Sequence, residues 1–254
     1  MEAIDVKNAA RKFGADLVGI ASLSRFDGVA LQNDPRSIFP DGKTMIVIGR
    51  RIPRGAIRGV ESGHSANISF TDFGFYMLED QYLAKCTYDL VIWMEKQGFE
   101  AVPMFGYDVE ATAKVPLGAP VSEGKPAPNV YVDWKLAAHL CGLGEVGKNG
   151  LFITPEFGTL QRFAMLVSDQ ELTADEVVTR GVCNGCNACE ESCPLNNTLC
   201  GKCTAGAIQT DFGRFHTVDK IAAACGRACL ASLEERGLIT NKFAAPFRKN
   251  EGVK

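Results

Sequence analysis

The chain has 254 residues, of which 46% are hydrophobic and 22% charged, and a formal net charge of −3. That length suits a large domain plus a small one, with a core that needs no crosslinks, and the mild acidity argues against a broad nucleic-acid-binding face. No apolar run approaches the ~18 residues of a membrane span, and residues 1–14 lack the apolar stretch of a secretory leader, so a soluble, cytoplasmic protein without membrane contact is expected. Ten cysteines would make a poor disulfide framework in a reducing compartment, which leaves metal ligation as their leading explanation.

Residues 2–13 read as a short amphipathic helix ending at Gly14, with Ile4, Ala9 and Phe13 available to a core. Residues 16–21 (DLVGIA) and 44–49 (TMIVIG) are β-branched apolar runs of buried-strand type. Between them Phe39-Pro40-Asp41-Gly42 is turn chemistry, since proline fixes φ and glycine permits φ > 0. The basic residues of segment 50–58 read as solvated charge, like those of the tail at 242–254. Phe75, Leu78, Tyr82, Cys86, Leu90 and Trp93 recur at helical spacing and predict a helix over 75–97 closed by Gly98. Cys86 falls on its apolar face as a packed thiol. A strand at 100–104 follows.

Residues 106–129 are rich in proline, glycine and small side chains, too long for a simple connection, and read as a functional loop or flap. A helix at 134–141 and strands at 151–154 and 162–168 complete an alternating pattern, which predicts a layered α/β (α+β) domain. Apolar periodicity then fades, so one domain is expected over 1–175 and a small cysteine-rich one over 176–254, joined by residues 169–180.

Gly142-Leu143-Gly144-Glu145-Val146-Gly147 satisfies G-x-G-x-x-G, but a dinucleotide fingerprint must follow a strand and open a helix. Here the predicted helix precedes and the predicted strand follows, so nicotinamide binding is rejected. The loop reads either as backbone brought close to a large ligand, with Lys148 and Asn149 as polar donors, or as a helix cap and tight turn.

Cys183-x2-Cys186-x2-Cys189-x3-Cys193-Pro194 matches the bacterial ferredoxin run C-x2-C-x2-C-x3-C-P, in which the fourth cysteine serves the other cluster. One tight loop delivers three thiolates to three corners of a cubane, and the proline directs the fourth away. Cys200-x2-Cys203 and Cys225-x3-Cys229 repeat the pattern with about 21 residues inserted. The expected assignment is crossed: Cys183, Cys186, Cys189 and Cys229 hold one [4Fe–4S] cluster, and Cys193, Cys200, Cys203 and Cys225 hold a second. Two alternatives stay open, four-cysteine zinc sites built from the same CxxC pairs and a single cluster with spare thiols.

Residues 137–150 (AAHLCGLGEVGKNG), 151–158 (LFITPEFG) and the cysteine run together resemble the epoxyqueuosine reductase and reductive dehalogenase superfamily; 14–21 and 39–49 add a weaker likeness. The resemblance implies a nitroreductase-like layered domain that binds cobalamin, followed by a ferredoxin-like double-cluster domain that supplies it with electrons. By motif position Gly142, Leu143, Gly144, Gly147, Lys148 and Asn149 would lie against the corrinoid. The histidine-bearing DxHxxG module of other corrinoid proteins is absent, and only His64, His139 and His216 occur. Where the family shows Asp-x-x-Pro-Val, this chain departs from it with VYVDW at 130–134; Asp133, Tyr131 and Tyr107 are the candidate proton donors. The chain ends about 25 residues after Cys229, so a short member of unassigned substrate is expected. Its function would be cobalamin-dependent reduction, with a low-potential donor of ferredoxin or flavodoxin type and a small-molecule substrate. The alternative is a non-catalytic electron-transfer or corrinoid-handling partner that serves a corrinoid protein.

Overall fold

Apolar runs without polar alternation mark strands covered on both faces, and the two such runs near the N-terminus form paired strands in a mixed α/β fold. The computed structural model describes residues 1–61, 69–70, 72–105, 118–128, 130–193, 208–210, 217–241 and 246–247. Its longer elements begin with α1 (Ala3–Lys12), β1 (Leu17–Ser22), β2 (Thr44–Arg51), α2 (Ala84–Lys96), β3 (Ala101–Met104) and α3 (Trp134–Leu140). They continue with β4 (Glu145–Val146), β5 (Phe152–Ile153), β6 (Gln161–Ser168), α4 (Ala188–Glu191), β7 (Ile208–Thr210), β8 (Thr217–Asp219) and α5 (Ala224–Glu235). Among the described residues no helix is long and apolar enough to cross a membrane.

Contacts divide the chain into two interleaved units. One comprises Met1–Arg50, Tyr82–Leu143 and Phe163–Val178; the other comprises Arg51–Gln81, Gly144–Arg162 and Thr179–Lys254. In the first unit the sheet order is β1-β2-β6-β3. β1 pairs antiparallel with β2, Leu17 opposite Gly49, and β3 pairs antiparallel with β6, Ala101 opposite Ser168. Alternate residues Val18 and Ile20, Ile46 and Ile48, Ala164 and Leu166 share one core with Val6, Ala9 and Ala10 of α1 and Leu90 and Met94 of α2, as period-2 strands on one helical layer require. At the end of α3 the Cys141 thiol donates to the Met45 carbonyl (3.7 Å), which ties that helix to β2. Burial pushes the Cys141 thiol far up, and it likewise lifts Cys86 to about 11. Both behave as packed hydrophobes, and Cys86 donates to the Ala10 carbonyl at 3.8 Å.

Three expectations change. Ile4 is 53% exposed, because the stripe that faces the core is Val6, Ala9 and Ala10, whose small alanines let α2 approach. The turn at Gly42 closes on the Phe39 carbonyl (3.1 Å), yet Gly42 is needed for space rather than positive φ: a Cβ there would lie 2.4 Å from Val167 Cγ1. The helix expected over 75–97 is regular only from Ala84. Before it, Asp72–Tyr76 and Leu78–Leu83 form wider π-type turns. The chain changes units at this point, so Leu78 serves one core and Leu83 the other, and the apolar stripe must rotate between them.

The second unit packs Ile52, Ile57, Phe70, Leu160, Leu230 and Leu233. Within it lies a buried ion pair, Arg54 reaching both oxygens of Glu61 (2.7 and 2.8 Å). Arg54 also donates to the Pro246 carbonyl (3.0 Å) and lies over the Phe247 ring (4.1 Å), while Arg58 approaches Glu61 at 3.4 Å. Two of the basic residues read as solvated are therefore counter-ions of one buried carboxylate.

Candidate metal centre

The loop that carries the first cysteines is wound by its own backbone. Asn184 N–H donates to the Gly181 carbonyl (2.8 Å) and Cys186 N–H to the Cys183 carbonyl (3.1 Å). Cys189 follows on the single-turn helix α4, and Cys193 N–H donates to the Glu190 carbonyl just beyond it (3.1 Å). Cys225 and Cys229 come from α5, one turn apart and so on one face of the helix. Cys183, Cys186, Cys189 and Cys229 line a single small cavity, together with Asn149, Ile153, Val182, Ser232, Leu233 and Arg236. Cys200, Cys203 and Pro194 lie outside the described residues.

The electrostatics sort the remaining cysteines. Burial first, then the charges of Cys189, Cys183, Cys186 and Cys225, push the Cys229 thiol up to about 12. Burial also raises Cys225, and there the neighbouring thiolate is Cys193. Burial opposes ionisation of Cys186 too, but the Ser232 hydroxyl (3.4 Å), the Ala188 amide and Arg236 outweigh it and lower its pKa. Burial thus opposes ionisation of Cys229 and Cys225, and a metal coordinated by a thiol reverses that by deprotonating it outright. Among the described residues no group of three or more His, Cys, Asp or Glu side chains is placed to hold a single metal ion. Four thiols around a cavity fit a cubane, whose irons occupy the space between them.

From Gly144 onward the glycine loop belongs to the unit that holds this cavity. α3 is capped at its start by Asp133, whose Oδ1 accepts from Lys135 N–H (2.8 Å) and Leu136 N–H (3.3 Å), and it ends at Cys141. A Cβ on Gly142 (φ +75°) would meet the Glu176 carbonyl at 2.3 Å, and one on Gly144 (φ +156°) the Ile153 carbonyl at 2.1 Å. The chain then enters the β4–β5 hairpin, Glu145 opposite Ile153, through a turn in which Gly150 N–H donates to the Gly147 carbonyl (2.9 Å). Helix before and strand after is the reverse of a dinucleotide fingerprint. Leu143 is buried, its N–H donating to the Ala138 carbonyl (3.0 Å). Lys148 N–H points to Cys183 Sγ (3.4 Å). Its ammonium donates to the Cys186 carbonyl and Asn187 Oδ1 (both 3.1 Å) and faces Glu190 at 3.6 Å. Asn149 lines the cavity itself. The residues expected against a corrinoid thus make contacts with the protein's own backbone and with the cysteine loop.

Tyr131 belongs to the first unit, its N–H on the Gln32 carbonyl (3.0 Å) and its carbonyl accepting from Asn33 (2.7 Å). Asp133 caps α3 as described, and Tyr107 lies outside the described residues, as do His64 and His216. Sequence reasoning missed Glu145. Its carboxylate accepts from three consecutive amides, Arg180 (2.8 Å), Gly181 (3.1 Å) and Val182 (2.7 Å), and so aims the chain at Cys183. Spacing arguments could not find it, because backbone donors carry no residue type. Glu145→Ala should destabilise the second unit by about 2–4 kcal/mol, since bonds to a charged acceptor are worth ~1.5–3 kcal/mol each and water replaces part of the loss. Chemical denaturation of mutant and wild type checks this. Arg236, also missed, donates to the Val182 carbonyl (2.8 Å) from the end of α5.

No protein-family model matches the chain. A tetrachloroethene reductive dehalogenase of Desulfitobacterium hafniense is 26% identical, over 74% of this chain and 37% of that protein. An epoxyqueuosine reductase of Lactococcus garvieae (strain Lg2) is 29% identical, over 65% of this chain and 41% of that protein. The chain spans about two fifths of the length of these two curated relatives. Among solved structures, a catabolic reductive dehalogenase matches with a TM-score of 0.52 and 17% identity over 88% of this chain and 31% of the other. An epoxyqueuosine reductase from Bacillus subtilis matches with a TM-score of 0.50 and 14% identity over 76% and 51%. At such identities the structural likeness shows the fold.

Proposed function

We propose, from the chain's kinship with the epoxyqueuosine reductases and reductive dehalogenases, that it is a redox protein of reductase type built on two [4Fe–4S] clusters. One observation carries this reading: thiols from the 183–189 loop and from α5, some forty residues further along the sequence, line one cavity. In this reading Cys183, Cys186, Cys189 and Cys229 hold the first cluster. Cys193 and Cys225, with Cys200 and Cys203, hold the second, supported by the effect of Cys193 on the Cys225 thiol. The clusters accept single electrons from a low-potential ferredoxin- or flavodoxin-type donor. Glu145 and Arg236 fix the approach to Cys183, and Lys148 pins the loop between Cys186 and Glu190.

The corrinoid belongs to the proposal through the resemblance of the loop at 142–149. When bound it supplies a strongly reducing metal centre at which a small substrate is reduced, with Tyr131, Asp133 or Tyr107 as proton donor. Asp133 already holds the first turn of α3, so its replacement should also loosen that helix. One observation favours the second reading, a non-catalytic electron carrier or corrinoid-handling protein: Lys148 and Asn149 are engaged at the cysteine cavity. Equilibrating the anaerobically purified protein with a corrinoid, desalting it and recording the visible spectrum separates the two. Retained corrinoid and turnover of small organic substrates support the reductase. Intact clusters without retained corrinoid, or retained corrinoid without turnover, overturn it in favour of the second reading.

A further inference from the structure

Asn149 stands in the turn between β4 and β5, and its side-chain amide has one end accounted for. Oδ1 accepts the Leu151 N–H at 3.2 Å, which settles which end of the amide is the carbonyl. The other end, Nδ2, carries two N–H donors, is fully buried and has no partner among the described residues. The residue as a whole is 3% exposed. Buried donors are almost always paired, and this orphan calls for an acceptor that the described residues do not provide. Asn149 lines the cavity of Cys183, Cys186, Cys189 and Cys229. The two residues before it already meet the same sulfur: Lys148 N–H is 3.4 Å from Cys183 Sγ, and a Cβ on Gly147 would lie 3.4 Å from it.

We infer that Asn149 donates an N–H···S hydrogen bond from Nδ2 to the cluster held by these four cysteines and thereby raises its reduction potential. The inference rests on the cluster reading above. On reduction one electron passes from an external low-potential donor to the cluster, no bond to the protein forms or breaks, and the added negative charge is shared by the sulfurs. A hydrogen-bond donor at a sulfur therefore stabilises the reduced state more than the oxidised one, which is one of the means by which proteins set cluster potentials. Asn149 is a positioning and tuning group, and its signature is a potential rather than a rate.

The test is an anaerobic redox titration followed by EPR on the full chain, comparing wild type with Asn149→Leu and Asn149→Asp, with iron and sulfide measured on each. At a fixed solution potential, the reduced-to-oxidised ratio of one cluster should fall about tenfold in Asn149→Leu, equivalent to about 59 mV for one electron. It should fall further in Asn149→Asp, which adds a negative charge, and the second cluster should keep its potential. Full cluster content with both potentials unmoved overturns the inference and leaves the cluster reading intact. Wild-type protein without labile sulfide overturns the cluster reading itself. Should both variants lose their iron, protein carrying asparagine labelled with 15N only in the side-chain amide, with Asn184→Ala and Asn187→Ala removing the other two such amides of the cysteine loop, decides. A 15N coupling in the pulsed EPR of the reduced cluster upholds the hydrogen bond, and its absence, as when a trapped water takes the amide, overturns it.

Discussion

Cys229→Ala is expected to remove one cluster and spare the other, lowering iron from about eight to about four per chain. Cys225→Ala, one helical turn earlier on the same face of α5, is expected to lose the same amount of iron but from the opposite cluster. The reason is the partition of neighbours, since Cys229 shares its cavity with Cys183, Cys186 and Cys189, whereas Cys225 is not among the residues that line it and is acted on by Cys193. EPR spectra of the two reduced variants should therefore differ and together add up to the wild-type signal. Identical spectra, or loss of all iron from one variant and none from the other, would contradict the crossed pairing. The contrast is informative because both changes remove the same atom from the same helix, so a purely structural effect would make them alike.

The second large effect is expected some distance along the chain from any cysteine. The Glu61 carboxylate is wholly buried, with Arg54 on both oxygens and Arg58 beside it. It also acts on Arg227 of α5, whose pKa burial lowers and Glu61 partly restores. Arg227 lies midway between Cys225 and Cys229, its guanidinium donating to the Ala222 carbonyl (2.6 Å). Glu61→Ala strands buried guanidinium groups without their counter-charge, and breaking a pair from one side costs about 3–5 kcal/mol. Replacing Glu61 and Arg54 together by leucine and methionine should cost much less, because the desolvation of both charges is then avoided. Denaturant titration, with hydrogen exchange read over α5, checks both variants. Equal losses in the single and double variants would show that Arg54 and Glu61 do not act as a pair.

What could be read in advance was what depends on residue type and spacing. The ferredoxin run and the x3 gap between Cys225 and Cys229 are covalent facts about reach, so the cavity partners of Cys183 were legible without coordinates. Strands β1, β2 and β6 were legible because continuous apolar runs have few other uses. The wide turns before Ala84 were not, since the 3.6-residue stripe reports which residues are apolar and not which of two cores each one meets. The interleaving of the units has the same origin. Ile4 was misplaced because α1 packs through alanines, which a hydrophobicity count ranks below isoleucine. Glu145 escaped because its partners are main-chain amides, and Asn149 because an amide with one end satisfied looks, in sequence, like any other polar residue in a glycine loop. The loop at 142–149 was legible as a place of close backbone approach, but the partners it approaches are the Glu176 and Ile153 carbonyls and the cysteine loop.

The central claim is that the thiols around this cavity hold an iron–sulfur cubane, and elemental analysis addresses it most directly. Protein purified without oxygen should contain iron and acid-labile sulfide in equal amounts, about eight of each per chain for two clusters. One or two zinc ions per chain with no labile sulfide would contradict it.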